Sequence, residues 1–394
     1  MSVRATLEKW VHPLLLAVVI AMLLFGVGFL RTAVRADSSF QKQLLGVVLG
    51  IILLVAAWLF DYRKLKDWLL PLFIMDALLL ISPRIPGLGR AASGASRWVY
   101  LPGTSISLFQ PSEPAKIVTI LLIAAIIANF EGSLETWRGF WKIVGLALIP
   151  FFLVMMQPDL GTGLVFIVIM LGLLLVGGAK KRYLLTLIAV LIAVVSLAFW
   201  VNSLTWSDTR GENGDYLILK KYQLNRLEVF LNPEGDPTGA GYDLNQSKIA
   251  IGSGGTSGKG LGEGTQSQGD FISERATDYI FSVLGEETGF VGTVALMGLY
   301  LSLLMVSLSI ANASSDLYGT LICTGIISMW TFQILENVGM TMGLMPITGI
   351  PLPFMSYGSS AMVTNLVAVG LLLSVWRRRP YLRRTKGDSH ELAI

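Results

Sequence analysis

About ten separate stretches of this chain stay apolar for roughly the 20 residues that a helix needs to cross a hydrocarbon core, and that repetition settles its fold class. They fall near 12–30, 43–60, 66–82, 112–129, 140–157, 160–178, 183–203, 285–311, 317–340 and 357–376. In lipid every backbone polar group must be satisfied within the structure, so runs of this length are helices. With 53% hydrophobic and only 14% charged residues, the 394-residue chain has too little polar surface for a soluble domain. It reads as an all-α polytopic membrane protein of about ten transmembrane helices, organised as a single membrane domain over 1–394.

The first run has no small-residue cleavage site behind it and is expected to stay as an anchor. Orientation follows from basic residues. Arg63, Lys64 and Lys66, then Lys180, Lys181 and Arg182, fall on one side with the tail over 377–394, which carries Arg377, Arg378, Arg379, Arg383, Arg384 and Lys386. That side is expected to be cytoplasmic. Both termini are then inside, and the one long hydrophilic interval, 204–277 between spans seven and eight, lies outside.

Cys323 is the only cysteine, so no intrachain disulfide braces that outer loop. His12 and His390 are the only histidines, one at a membrane edge and one in the tail, which argues against a histidine-based triad, dyad or zinc site. Acid–base chemistry falls to carboxylates.

The short outer loops are unusually basic: Arg31, Arg35 and Lys42, then Arg84, Arg90 and Arg97, with Lys116 just inside the fourth run. Charge solvated among headgroups explains these residues singly, and an outward-facing anion site explains them together. Arg97 and Lys116 favour the anion site, because they flank a proline-broken segment, Phe109-Gln110-Pro111-Ser112-Glu113-Pro114-Ala115-Lys116. Broken backbone at membrane depth is tolerated where it lines a cavity. Glu113 and Lys116, three residues apart, share a helix face and can pair, either shaping that cavity or as a structural bridge. A second break, Gln157-Pro158-Asp159-Leu160-Gly161-Thr162, offers Asp159 as a site residue or as a helix N-cap. Asp76 is a further acid inside an apolar run, with no partner evident in sequence.

The outer loop carries structure of its own. Tyr222–Leu231 has helical apolar spacing, Asn232–Pro237 reads as a turn, and an amphipathic piece spans Leu244–Ile251. The glycine run from Gly252 to Gly262 fails the Walker pattern, with Ser253 and Gly260 at two of its required positions. It is either a mobile loop or a backbone that brings Lys259 to a substrate. The loop ends on Ser273-Glu274-Arg275-Ala276-Thr277-Asp278-Tyr279 at the mouth of the eighth run. A carboxylate there, where water meets membrane, suits chemistry on a lipid-borne substrate. The competing reading is a helix N-cap, supplied by Asp278 or Thr277. Between the last two spans, Asn337–Ser360 contains three prolines and several glycines, and predicts a non-helical, partly inserted turn.

Together these segments resemble the SEDS family (shape, elongation, division and sporulation) of peptidoglycan glycosyltransferases. The resemblance rests on Gly94-Ala95-Ser96-Arg97-Trp98, Gln110-Pro111-Ser112-Glu113 with Lys116, Gln157–Thr162, Thr277-Asp278-Tyr279 and the turn ending at Ser356-Tyr357-Gly358. Gln157-Pro158-Asp159, Ser247–Gly252 and Asn337–Met340 are more similar to the elongation type, RodA, than to the division type, FtsW. The resemblance implies that Asp278 is the catalytic aspartate and that Glu113 and Lys116 are the charged pair of a central cavity. Thr277 and Ser356, in matching motifs, join the substrate-binding candidates Arg97, Asp159, Lys42 and Lys259. The family often has a histidine two residues before this aspartate; here that residue is Ala276.

The implied substrate is lipid II, an undecaprenyl diphosphate carrying a disaccharide-pentapeptide, and the implied partners are a class B penicillin-binding protein and the elongation machinery. No nucleic acid is implied. The expected location is the bacterial cytoplasmic membrane with the active site facing outward. The residues fit an inverting transfer with Asp278 as base, and cations from Arg97, Lys116, Lys42 or Lys259 opposite a leaving diphosphate. A divalent cation, Mg or Mn, is an additional candidate given Asp159 and Asp278, although no metal-ligand spacing is present. A lipid flippase or transporter, and a non-catalytic scaffold for a transpeptidase, are the rival classes.

Overall fold

The computed structural model describes residues 10–34, 37–89, 97–101, 103–104, 107–130, 132–157, 159–205 and 221–379. Arg35, Arg90, Gly94–Ser96, Pro158, His390 and the tail arginines beyond Arg379 lie outside the described residues. Each predicted apolar run is a helix. They are α1 (Pro13–Ala33), α2 (Asp37–Leu59), α3 (Leu69–Ile81), α4 (Ser112–Asn129), α5 (Trp137–Met155), α6 (Leu160–Val176), α7 (Lys181–Thr205), then α11 (Ile280–Asn312), α12 (Leu317–Thr341) and α13 (Ser359–Arg377). Eight of these are long and apolar enough to cross a membrane; α3, with 13 residues, and α6, with 17, are shorter. A two-stranded antiparallel hairpin, β1 (Val99–Tyr100) with β2 (Ser107–Phe109), leads into α4.

α4 is apolar around its whole circumference and buried from Ser112 to Ala128 with few breaks, as a helix at the centre of a bundle must be. α7 is the opposite case, with most of its apolar side chains exposed, as a lipid-facing helix requires. Small residues let helices approach closely where lipid supplies no hydrophobic drive between them. On α2, a Cβ at Gly46 would lie 2.8 Å from Ser359 at the head of α13, and one at Gly50 would meet Leu366.

At one end of the bundle, charges tie three connections together. Asp61 pairs with Arg378 at 3.1 Å, Arg63 with Asp316 at 3.4 Å, and the Tyr62 hydroxyl donates to Asp316 at 2.5 Å. Asp316 also caps α12 through Gly319 N–H at 2.8 Å. His12, the one described histidine, caps α1 by accepting from Leu15 N–H at 3.3 Å, a structural task. Cys323 is buried within α12.

The predicted outer helices are α8 (Lys221–Leu231) and α9 (Ala240–Ser253), followed by the short α10 (Thr265–Gln268). The eighth run starts earlier than hydropathy predicts, at Ile280, because Glu286 and Glu287 sit inside the helix, each accepting hydrogen bonds from other segments. Glu286 accepts from Lys259 Nζ at 2.7 Å and from the N–H groups of Gln266 and Ser267 at 2.8 and 2.9 Å; Glu287 accepts from Thr32 Oγ1 at 2.9 Å.

The glycine run is therefore docked rather than mobile. Lys259 N–H and Gly260 N–H donate to the carbonyls of Glu286 and Glu287, and Phe290 N–H donates to the Gly255 carbonyl. α11 kinks at Gly289, whose φ of 65° is a left-handed conformation open to glycine, and a Cβ there would strike Gly255 and Ser257.

Candidate active site

Three non-helical segments converge at the other end of the bundle: the turn over 273–279, the proline-rich turn over 342–358, and the break before α6. Asp278 lies two residues before α11 and is half-buried. Neither it nor Thr277 caps the helix: the N-cap is Tyr279, with no side-chain capping bond. Thr277 Oγ1 instead donates to Glu274 Oε2 at 3.0 Å.

The base candidate is held through its backbone. Asn337 Nδ2, on α12, donates to the carbonyls of Asp278 and Ile350, both at 2.9 Å, and so ties the proline-rich turn to the aspartate. Ser356 Oγ donates to the Thr277 carbonyl at 2.5 Å and accepts from Leu352 N–H at 2.8 Å, while Tyr357 N–H donates to the Ala276 carbonyl at 2.8 Å. Ser356 thus acts as a clasp between the two turns. Gly349, at φ 74°, brings the backbone against the carboxyl: a Cβ there would sit 2.9 Å from Asp278 Oδ2 and 3.8 Å from the Arg226 guanidinium.

Burial pushes the Asp278 carboxyl up, to about 6, and the negative charge of Glu274 adds to the rise. The Arg226 guanidinium, the Thr277 hydrogen bond and Arg97 oppose it. An aspartate so placed ionises near neutrality, which is where a general base is most effective.

Of the two readings of Asp159, the structure shows the helix N-cap. Asp159 caps α6 by accepting from Thr162 N–H at 3.2 Å and from Thr162 Oγ1 at 2.9 Å, and its Oδ2 lies 4.0 Å from Arg97 Nε. The first turn of α6 abuts the proline-rich turn, since a Cβ at Gly161 would lie 3.0 Å from the Thr348 carbonyl. A chain of close contacts therefore runs from Arg97 through Asp159 and the first turn of α6 to Thr348, Gly349 and Asp278.

Glu113 and Lys116 pair at 2.8 Å within α4, both nearly excluded from solvent, as their spacing predicts. Asp76 gains a partner that sequence could not supply, Thr119 Oγ1 on α4 at 2.8 Å. Lys42 is exposed in the first turns of α2, beside Gln43, which accepts from Gly358 N–H at 3.0 Å. Lys259 departs from an open anion-binding role: its ammonium is engaged by Glu286 and Thr265, both at 2.7 Å, and fastens the glycine run. Arg31 pairs with Asp37 at 2.6 Å, and Arg84 donates to the Met156 carbonyl, so these two arginines do structural work.

Two charged residues near Asp278 escape a reading from sequence. Arg226, on α8, donates to the Thr348 carbonyl. Glu336, on α12, accepts from Thr348 Oγ1. The only signals for them are an arginine on the polar face of an amphipathic loop helix and an acid inside an apolar run.

The bundle of apolar helices is that of a polytopic membrane protein, and at one end of it a half-buried aspartate lies near arginine charges. The profile of the FtsW/RodA/SpoVE cell cycle protein family matches residues 5–381. The peptidoglycan glycosyltransferase RodA of Treponema pallidum is 34% identical, over 93% of this chain and 97% of its own. Stage V sporulation protein E of Bacillus subtilis is also 34% identical, over 95% of this chain and 99% of its own. Among solved structures, one describing the coordination of polymerization and crosslinking by a peptidoglycan synthase complex superposes with a TM-score of 0.73 at 29% identity, covering 92% of this chain and 96% of that one. The crystal structure of Thermus thermophilus RodA gives 0.66 at 29% identity, covering 93% and 96%. This chain belongs to the FtsW/RodA/SpoVE (SEDS) family, and it is a membrane glycosyltransferase.

Proposed function

We propose that this protein polymerises lipid II into β-1,4-linked glycan strands at the outer face of the bacterial cytoplasmic membrane, with Asp278 as general base. The observation that carries the proposal is the Asp278 carboxyl, raised to about 6 and placed beside two arginine charges at the mouth of the bundle. Asp278 takes the proton from an acceptor sugar hydroxyl, whose oxygen forms the new bond to the anomeric carbon of the donor. The bond from that carbon to the diphosphate oxygen breaks on the opposite face, and the lipid diphosphate leaves with the electron pair. A diphosphate is a good leaving group, so one carboxylate suffices.

Arg97 and Arg226 are placed to stabilise charge on the leaving diphosphate, in a site drier than bulk water. The buried Glu113–Lys116 pair on α4 is taken to shape the substrate cavity that the family resemblance implies. An apolar groove lined by Ile74, Met75, Leu78, Leu79 and Phe109 opens beside the segment leading to Glu113, and its chemistry suits a polyprenyl tail. Among the described residues no three His, Cys, Asp or Glu side chains converge as metal ligands. A Mg or Mn ion would have to be held by one carboxylate, Asp278 or Asp159, together with diphosphate oxygens and water.

The outward orientation and cytoplasmic termini rest on the basic residues of the Arg63 and Lys180 connections. The role in elongation and cell shape rests on the Gln157-Pro158-Asp159, Ser247–Gly252 and Asn337–Met340 motifs. A class B penicillin-binding protein is the fitting partner, in keeping with the likeness to a synthase complex that both polymerises and crosslinks. Purified protein in liposomes separates the alternatives. Glycan product supports a polymerase, lipid II crossing leaflets supports a flippase, and neither outcome leaves a scaffold.

A further inference from the structure

Glu336 is an acid in the last turns of an apolar helix, 1% exposed, in a chain where such placements are expensive and call for a reason. It makes no ion pair with a neighbour on its own helix. Its Oε1 accepts from Thr348 Oγ1, and its Oε2 has no hydrogen-bond partner among the described residues. Thr348 sits at the centre of the proline-rich turn. Its carbonyl accepts from Arg226, and the next residue, Gly349, stands against Asp278 Oδ2. The adjacent helix residue, Asn337, fixes the backbone of both the turn and Asp278. Two neighbouring side chains of α12 therefore grip the turn at two points, one through a side chain and one through carbonyls.

We propose that Glu336 is a positioning residue for the sugar transfer: through Thr348 it buckles the proline-rich turn onto α12, which sets the Arg226 guanidinium and the Gly349 backbone against the Asp278 carboxyl. The proposal rests on the assignment of Asp278 as the base. Its mechanical part, the buckle, stands on the hydrogen bonds alone. A turn with three prolines and a left-handed glycine has few internal hydrogen bonds to hold its shape, so a single buried acceptor beneath it has leverage over the site. Small displacements of a reacting group are costly to rate even when binding is intact.

The test uses full-length protein in detergent and four variants: Glu336→Ala, Glu336→Gln, Thr348→Val and the double Glu336→Ala/Thr348→Val. Glutamine keeps an acceptor for Thr348, so Glu336→Gln is expected to polymerise lipid II close to the wild-type rate. Glu336→Ala and Thr348→Val are expected to lose at least about tenfold in kcat with KM held, and the double variant to be no slower than either single one. Amide hydrogen exchange over 344–353, which needs no substrate, is expected to quicken in Glu336→Ala and Thr348→Val and to stay unchanged in Glu336→Gln.

Wild-type kcat in Glu336→Ala would overturn the proposal, as would slow kcat with unchanged exchange in the turn, multiplied losses in the double variant, or failure of Glu336→Gln to rescue. If the wild-type protein makes no glycan, the functional reading fails separately, and the exchange experiment alone decides whether the buckle exists.

Discussion

As the proposed general base, Asp278 is expected to make the rate of this enzyme depend on pH in a range where an ordinary aspartate is silent. A general base works only when deprotonated, so the rate rises with pH through the pKa of the free carboxyl, which burial and Glu274 raise to about 6. With that pKa, kcat/KM is expected to rise by about tenfold between about pH 5 and pH 7, whereas an unperturbed carboxyl near 3.9 would give a change of only about a tenth. The neighbours supply the control. Removing the positive charge in Arg226→Gln favours the protonated form and moves the midpoint above 6, and removing the negative charge in Glu274→Gln moves it below. The assay is the initial rate of glycan formation from lipid II in detergent at constant ionic strength, with thermal unfolding followed at each pH to exclude denaturation. A flat profile over that range, or a midpoint that ignores both substitutions, would refute the reasoning.

Other outcomes follow from the same geometry. Gly349→Ala introduces a Cβ 2.9 Å from Asp278 Oδ2 at a φ of 74°, so it is expected to lose roughly 100-fold in kcat and about 1–2 kcal/mol in stability, measured by kinetics and thermal unfolding. Lys116→Met leaves Glu113 buried without its partner at 2.8 Å and is expected to lose about 3–5 kcal/mol, and Glu113→Gln/Lys116→Met to recover much of it; equal unfolding temperatures for the single variant and wild type would contradict this.

The legible parts of the structure are those dictated by solvent or by short spacing. Lipid demands helices of a fixed length, so the apolar runs give the bundle directly. Glu113 and Lys116 lie one helical turn apart and pair as their spacing requires, and Asp159 caps the helix that its Gln-Pro-Asp break announces. The turn between the last two spans is written in its prolines.

What stays illegible depends on contacts between segments far apart in the chain. Arg226 and Thr348 are 122 residues apart, and nothing local tells which way an arginine on a loop helix points. Glu286 and Glu287 mislead a hydropathy reading because their partners, Lys259 and Thr32, come from the outer loop and from α1. For the same reason neither sequence reading of the glycine run, a mobile loop or a backbone bringing Lys259 to a substrate or partner, includes its docking on the kink at Gly289.

The most direct measurement of the central claim is glycan polymerisation from lipid II by purified wild-type and Asp278→Asn protein, with and without a class B penicillin-binding protein. Asparagine keeps the shape of the side chain and cannot accept the proton, so polymer is expected from the wild type and a loss of about 100-fold or more from the variant, with folding and lipid II binding retained. Polymer formed by Asp278→Asn at the wild-type rate would contradict the assignment of the base.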